Sequence, residues 1–279
     1  MEHPLVSIIT VNYKQPQVTC ELLDSIQKLI YPNLEVIIVD NEQASDDLPL
    51  YKTHYHNVKV LTSKINLGFA GANNLAIKEA KGSFIFLVNN DTVLNEANIQ
   101  TLVIALGDKN IGAVSPILRY YDNPDLIQYA GFTKMNSFTG RNETIQKLPT
   151  NSGLTETAYI HGAAVMLRRE VIEKAGLMPE EYFLYYEEFA WSENIKNAGY
   201  QLKVSVDTSV LHKESITTGK NSPLKTYYQT RNRLAFMTKH SKIHELLAFR
   251  LFFSLISIPI GITGYYLKKK RSNMRAFLK

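Results

Sequence analysis

Cysteine is all but missing from this chain of 279 residues: Cys20 is the only one. That excludes an intramolecular disulfide and a cysteine-built zinc site, and a reducing compartment fits best. The opening MEHPLVSIITVNY lacks a basic stretch followed by an apolar core and a small-residue cleavage site, so no secretory leader is expected and the body reads as cytosolic. Internal repeats and low-complexity tracts are missing too. What remains, 45% hydrophobic and 20% charged residues, can bury a sizeable core as one large domain with an appendage or as two small domains.

Acidic residues are scarce in one region only. Residues 212–279 hold 2 Asp and Glu against 14 Lys and Arg, a net +12, whereas residues 1–211 hold 24 against 17, a net −7. A basic tail points to nucleic acid or to an anionic membrane surface. The stretch Leu251 to Leu267 has no charge in 17 positions and runs straight into Lys268, Lys269, Lys270 and Arg271, which favours the membrane and argues against nucleic acid. Leu246 to Leu267 is short for a span once Arg250 is excluded, Pro259, Gly261 and Gly264 interrupt it, and spanning from the cytosol would put the basic cluster outside. The expectation is therefore a membrane-associating helical tail over 241–279, an interfacial helix pair on anionic headgroups.

Ahead of the tail, strand and helix patterns alternate. Strands are predicted at Leu5 to Val11, Leu34 to Val39, Val58 to Leu61, Ser83 to Val88 and near Ala113 to Leu118. Helices are predicted at Gln17 to Ile30, Gly71 to Lys81 and about Ala97 to Leu106. The alternation implies right-handed crossovers and an α/β, mostly parallel sheet. Residues 120 to 158 form a polar, aromatic segment with Gln128 and Arg141, readable as a lid or as a surface excursion. HGAAVMLRREVIEKAG then reads as a buried strand entering a short helix.

Three groups stand out chemically. FIFLVNNDT, Phe84 to Thr92, is a buried strand that ends in Asn89, Asn90 and Asp91, where an open α/β sheet binds ligands. Those side chains suit a divalent cation or phosphate, and equally a plain turn. Glu187 and Glu188 open a helix that Gly199 ends; they either complement the helix dipole or, among Tyr185, Tyr186, Phe189 and Trp191, supply a desolvated general base. His212 follows the apolar stretch Val204 to Leu211 and is either a satisfied histidine or, opposite Asp91, half of a sparse metal site.

Taken in order, VSIITVNY, EVIIVDN, NLGFAGANN, FLVNNDT, GAAVMLRR, FLYYEEFAW and TYYQTRNRLAFMTKH resemble glycosyltransferase family 2, with similarity to its rhamnosyltransferase-like members. The resemblance covers roughly residues 4 to 240 and implies a GT-A, Rossmann-like sheet flanked by helices, with a nucleotide-sugar half over about 1–118 and an acceptor half over about 119–240. It implies that Thr10, Val11, Tyr13 and Asp40 hold the nucleoside and that Asn66, Gly68, Asn74 and Asn90 line the donor site. Asp91 and His212 would hold Mg2+ or Mn2+, Glu188 would be the base beside Glu187, and Glu187 and Trp191 would meet the acceptor. The donor would be a dTDP- or UDP-linked sugar, rhamnose among the candidates, and the acceptor a glycan or polyprenyl-linked hydroxyl in surface polysaccharide synthesis. Transfer would be an inverting single displacement at the cytoplasmic face of the membrane.

The motif set departs from the family pattern in three places. Asn89 and Asn90 leave one carboxylate in the metal motif, Glu188 is a methylene longer than the usual aspartate, and Ala190 replaces the second aspartate. Two other classes stay open. A nucleotidyltransferase would ordinarily carry a glycine-rich loop after the first strand, where TVNYKQPQ has none; a catalytically silent sugar-nucleotide-binding protein would keep Asp40 and Asp91.

Overall fold

The computed structural model describes residues 3–42, 46–149, 152–213 and 222–279. Residues 150–151 of the polar segment lie outside it. Its centre is a ten-stranded sheet. The first part alternates as expected: β1 (Val6–Asn12), α1 (Pro16–Ile26), β2 (Leu34–Asn41), α2 (Leu48–His54), β3 (Val58–Ser63), α3 (Gly68–Glu79) and β4 (Phe84–Val88). Strands β3, β2, β1 and β4 lie side by side and parallel, with Asn12 paired to Asp40. Their carboxyl ends therefore share one rim. Helix α1 stops four residues early, and α2, seven residues with a proline in its first turn, is too short for a periodicity to reveal.

The second part of the sheet is mixed. After the two-residue β5 (Thr92–Val93) and α4 (Asn98–Ala105) come β6 (Ile111–Tyr120), β7 (Ile127–Tyr129), β8 (Leu154–Glu156), β9 (Ala164–Arg168), α5 (Arg169–Ala175), α6 (Glu187–Asn197) and β10 (Gln201–His212). Strand β9 runs antiparallel between β4 and β6, so its amino end meets the shared rim, and the amide of Asn89 donates to Ala163 O at 2.9 Å. Strand β10 runs parallel to β6, and β5 folds back on it to pair Thr92 with His212. That pairing carries a residue from the far end of the sequence to the side of Asp91. Apolar layers fill both faces, one around Phe86, Tyr129 and Phe236, the other around Leu87, Trp191 and Ile195.

The last part is helical: α7 (Pro223–His240), α8 (Ile243–Phe252), a π-turn at Phe253–Ser257, α9 (Ile258–Leu267) and α10 (Arg271–Phe277). Pro259 and the two glycines were expected to interrupt this stretch, and they do not. The π-turn just ahead of Pro259 absorbs its missing N–H, and Ile243–Leu267 runs on for 25 residues, long and apolar enough to cross a membrane by length and composition. Helix α10 folds back onto α7, where Asn273 Nδ2 donates to Thr226 Oγ1 at 2.9 Å.

Candidate active site

Asp91 and His212 meet at the rim, both nearly buried, with Asp91 Oδ1 3.2 Å from His212 Nε2. The other ring nitrogen, Nδ1, lies 2.8 Å from Gln128 Oε1. An amide oxygen only accepts, so Nδ1 carries the proton, and in the neutral ring Nε2 presents a lone pair to a carboxylate. A neutral ring and a carboxylate facing one another across 3.2 Å suit a cation between them. Asp91 Oδ1 makes no hydrogen bond, and two ligands each about 2.1 Å from one Mg2+ or Mn2+ would stand about 3 Å apart, so the residues fit such an ion. Among the described residues no third Asp, Glu, His or Cys completes a cluster, which leaves the remaining positions to phosphate oxygens and water.

Beside this pair, a buried polar chain links the ends of β4, β1 and β2. Asn90 Nδ2 donates to Thr19 Oγ1 (3.1 Å), Thr19 to Asn12 Oδ1 (3.1 Å), and Asn12 Nδ2 to Asp40 Oδ1 (2.8 Å). Tyr51 OH completes the chain by donating to the same Asp40 oxygen at 2.9 Å. Asp40 Oδ2 and Thr10 Oγ1 are left without partners. Burial raises the Asp40 carboxyl above its usual range, while the Asn12 and Tyr51 donors hold it down. Val11 and Tyr13 lie half-buried at the same strand end. An acceptor atom free at the mouth of the chain suits a nucleoside N–H or hydroxyl.

Helix α3 opens at Gly68, three residues ahead of the predicted Gly71, and so takes in the NLGFAGANN motif from Gly68 onward. Asn66 Oδ1 takes the amides of Gly68 and Asn41, and Asn41 Oδ1 takes that of Leu67, so these side chains brace the helix entry. Gly68 has φ +71°, and a β-carbon there would strike the carbonyl oxygen of Phe183, to which Phe69 N donates at 2.8 Å. Asn74 is not at the donor cleft: its fully buried amide donates to Met178 O and Glu180 Oε1, both at 2.8 Å. These three residues dock the loop before α6 onto α3.

That loop is strained. Phe183, Tyr185 and Tyr186 all have positive φ, between 63° and 76°. Asn232 of α7, fully buried, holds the turn by donating from Nδ2 to the carbonyls of Tyr182, Leu184 and Tyr185, each at 2.8 Å. Glu187 and Glu188 follow directly. Each has an unpartnered buried Oε2. Desolvation pushes Glu188 up to about 7 and Glu187 well above the usual carboxylate range, against the pull of nearby backbone N–H groups. Phe189 packs on Phe132, which stacks on His161 at 5.6 Å, which meets His212 edge-on at 6.3 Å. A continuous row of rings thus joins the start of α6 to the Asp91–His212 pair. Trp191, expected as an acceptor contact, is fully buried in the second apolar layer with Nε1 donating to Gly176 O (2.8 Å), one helical turn beyond Glu187 on the inner face.

Residues 7–176, more than half of the chain, match the family model described as Glycosyl transferase family 2. The chain belongs to glycosyltransferase family 2. Among its relatives is the low-salt glycan biosynthesis hexosyltransferase Agl10 of Haloferax volcanii, 25% identical over 92% of this chain and 82% of its own. Another is the N-acetylglucosaminyl-diphospho-decaprenol L-rhamnosyltransferase of Mycobacterium tuberculosis, 21% identical over 78% of each. The solved mannosyltransferase PcManGT of Pyrobaculum calidifontis, in complex with GDP-Man and Mn2+, superposes with a TM-score of 0.64 over all of this chain and 86% of that one, at 17% identity. That likeness shows the GT-A fold.

Within this family 2 member, sequence reasoning missed Asn12, Tyr51, Gln128 and Asn232 as parts of the site. Asn12, Gln128 and Asn232 stand in segments already singled out, but only the pairing of β6 with β7 and the packing of α7 under the FLYY turn reveal what they hold.

Proposed function

We propose that this glycosyltransferase moves a sugar, with rhamnose first among the candidates, from a nucleoside diphosphate to a hydroxyl of a lipid-linked glycan in surface polysaccharide synthesis. The observation that carries the reading is the meeting of His212 Nε2 and the Asp91 carboxylate at 3.2 Å, with Gln128 Oε1 on the other ring nitrogen. Asp91 and His212 would hold a divalent cation, which when bound neutralises negative charge on the departing diphosphate. Asp40 and Thr10 accept from or donate to the nucleoside. Glu188, with its pKa near neutrality, takes the proton of the acceptor hydroxyl as that oxygen bonds the anomeric carbon and the bond to the diphosphate oxygen breaks. No covalent intermediate on the protein is needed, and the anomeric configuration inverts.

The rhamnosyl and diphospho-decaprenol terms in the mycobacterial relative's name support the choice of sugar and acceptor class. The tail supports a peripheral place at the cytoplasmic face of the membrane: Ile243, Leu247, Leu251 and Leu255 form an exposed stripe on one helical face, and Lys268 to Arg271 follow it. The test is turnover of dTDP-rhamnose and a panel of UDP-sugars with Mn2+ and an N-acetylglucosaminyl diphosphoprenol acceptor, with the product's anomeric configuration read by NMR. A transferred sugar of inverted configuration is expected, and no product from Glu188→Gln. Retention of configuration, or undiminished transfer by Glu188→Gln, would contradict the mechanism.

A further inference from the structure

A cavity of about 330 Å³ lies between the tail helix and the turn at Gly140–Arg141, walled by Phe252 and Ile260 and edged by Arg141, Ser257, Tyr265 and Lys268. Arg233 stands behind Ser257. It is 5% exposed, its guanidinium lies over the Phe253 ring at 4.8 Å, and among the described residues one Nη2 bond to Ser257 Oγ at 3.0 Å is its only hydrogen bond, with Nε unpartnered. The ionisable groups acting on it are Tyr186 and Arg141, not a carboxylate. Burying a guanidinium without an anion is costly, and setting a second one near it raises the cost. Two arginines and a lysine around a pocket with no acid among its lining residues would have that cost offset by a phosphate-bearing ligand, which guanidinium forks suit.

The position narrows the ligand. Tyr186 OH donates to Gly140 O at 3.3 Å, and Tyr186 directly precedes Glu187 and Glu188, so the turn that carries Arg141 braces the residue opening α6. On its other side the cavity adjoins the tail helix, whose Leu251 and Leu255 are 63% and 72% exposed. A ligand here would have its charged end against the turn that Tyr186 touches and a greasy path along the tail. We infer that this cavity binds the isoprenoid diphosphate end of the lipid-linked acceptor, between Arg141 and Lys268 with Arg233 behind, its chain running out along the tail helix. The inference rests on the acceptor class proposed above, and extends it to a subsite.

The test is calorimetric titration of the full-length protein with farnesyl diphosphate in EDTA, which silences diphosphate binding through a metal. Farnesyl diphosphate should bind at least tenfold more tightly than pyrophosphate or farnesol. Arg141→Gln should weaken it at least tenfold. Gly264→Trp, where a new side chain meets open space and enters the cavity, should abolish it with the melting temperature preserved. Wild-type affinity in both variants, equal binding of farnesol, or equal competition by phosphatidylglycerol vesicles would overturn the assignment. UDP titrated with Mn2+ into the same wild-type preparation, freed of EDTA, separates the two readings. Nucleotide binding without farnesyl diphosphate binding overturns the subsite alone, and the reverse overturns the donor site alone.

Discussion

Replacing Asn232 by alanine removes the amide that holds the turn ahead of the acidic pair. Its two hydrogens serve three buried carbonyls at 2.8 Å. Losing two net bonds and leaving their carbonyls unsatisfied costs about 2–4 kcal/mol if the turn stays put. The turn also holds three residues at positive φ, Phe183, Tyr185 and Tyr186, which store about 1–3 kcal/mol each, or about 3–9 kcal/mol together. Relaxation therefore relieves as much as the lost bonds cost, and local rearrangement wins over global unfolding. The melting temperature should fall by only a few degrees, at about 2–4 °C per kcal/mol. Catalysis suffers more: with Glu188 displaced, kcat should drop towards the ~10²–10⁴-fold loss of a general base, while the donor KM stays within about twofold. Asn232→Asp fills the same volume but offers no hydrogen when ionised, so it should be at least as damaging as alanine. Nucleotide-release kinetics and thermal melts on both variants are the assay. Normal kcat in both, or milder damage in the aspartate variant, would refute the clamp.

Gln128→Leu should lower Mn2+ affinity by about 10–100-fold by freeing the His212 tautomer, and Gln128→Glu should restore most of it; equal affinity in all three by calorimetry would refute the role. Because Glu188 must be charged to act, kcat should rise with pH and level off above about 7. Stability should run the other way. Its pKa is raised from 4.5 in the folded chain, so the stabilising contribution is complete below 4.5 and is lost as pH rises through about 7, and Glu188→Gln should flatten that part of a melting-temperature profile. Leu251→Glu with Leu255→Glu should weaken co-sedimentation with phosphatidylglycerol vesicles by about tenfold or more, and unchanged partition would remove the tail from membrane binding.

Much of the fold could be read from the sequence because the parallel strands are continuous apolar runs with polar ends. FIFLVNNDT marks its own boundary, and Asp91 stands where such a run stops. The residues alone left His212 open between a satisfied histidine at a strand end and a partner of Asp91, and only the family resemblance chose the second. What brings it to Asp91 is β5, two residues long and far below any periodicity, pairing back on β10. The misplacements share one cause. Asn74 and Trp191 sit on helices beside functional residues, and nearness along a helix does not say which face looks inward; both look into the protein. Pro259 misled in another way, since a π-turn upstream removes the break that a proline in a regular helix would make.

The pairing of Asp91 with His212 around a cation is tested most directly by electron paramagnetic resonance of Mn2+ bound with UDP. Coupling to one imidazole nitrogen is expected, disappearing in His212→Leu, with Mn2+ affinity falling in Asp91→Asn. A Mn2+ signal without nitrogen coupling, or one unchanged by either substitution, would contradict it.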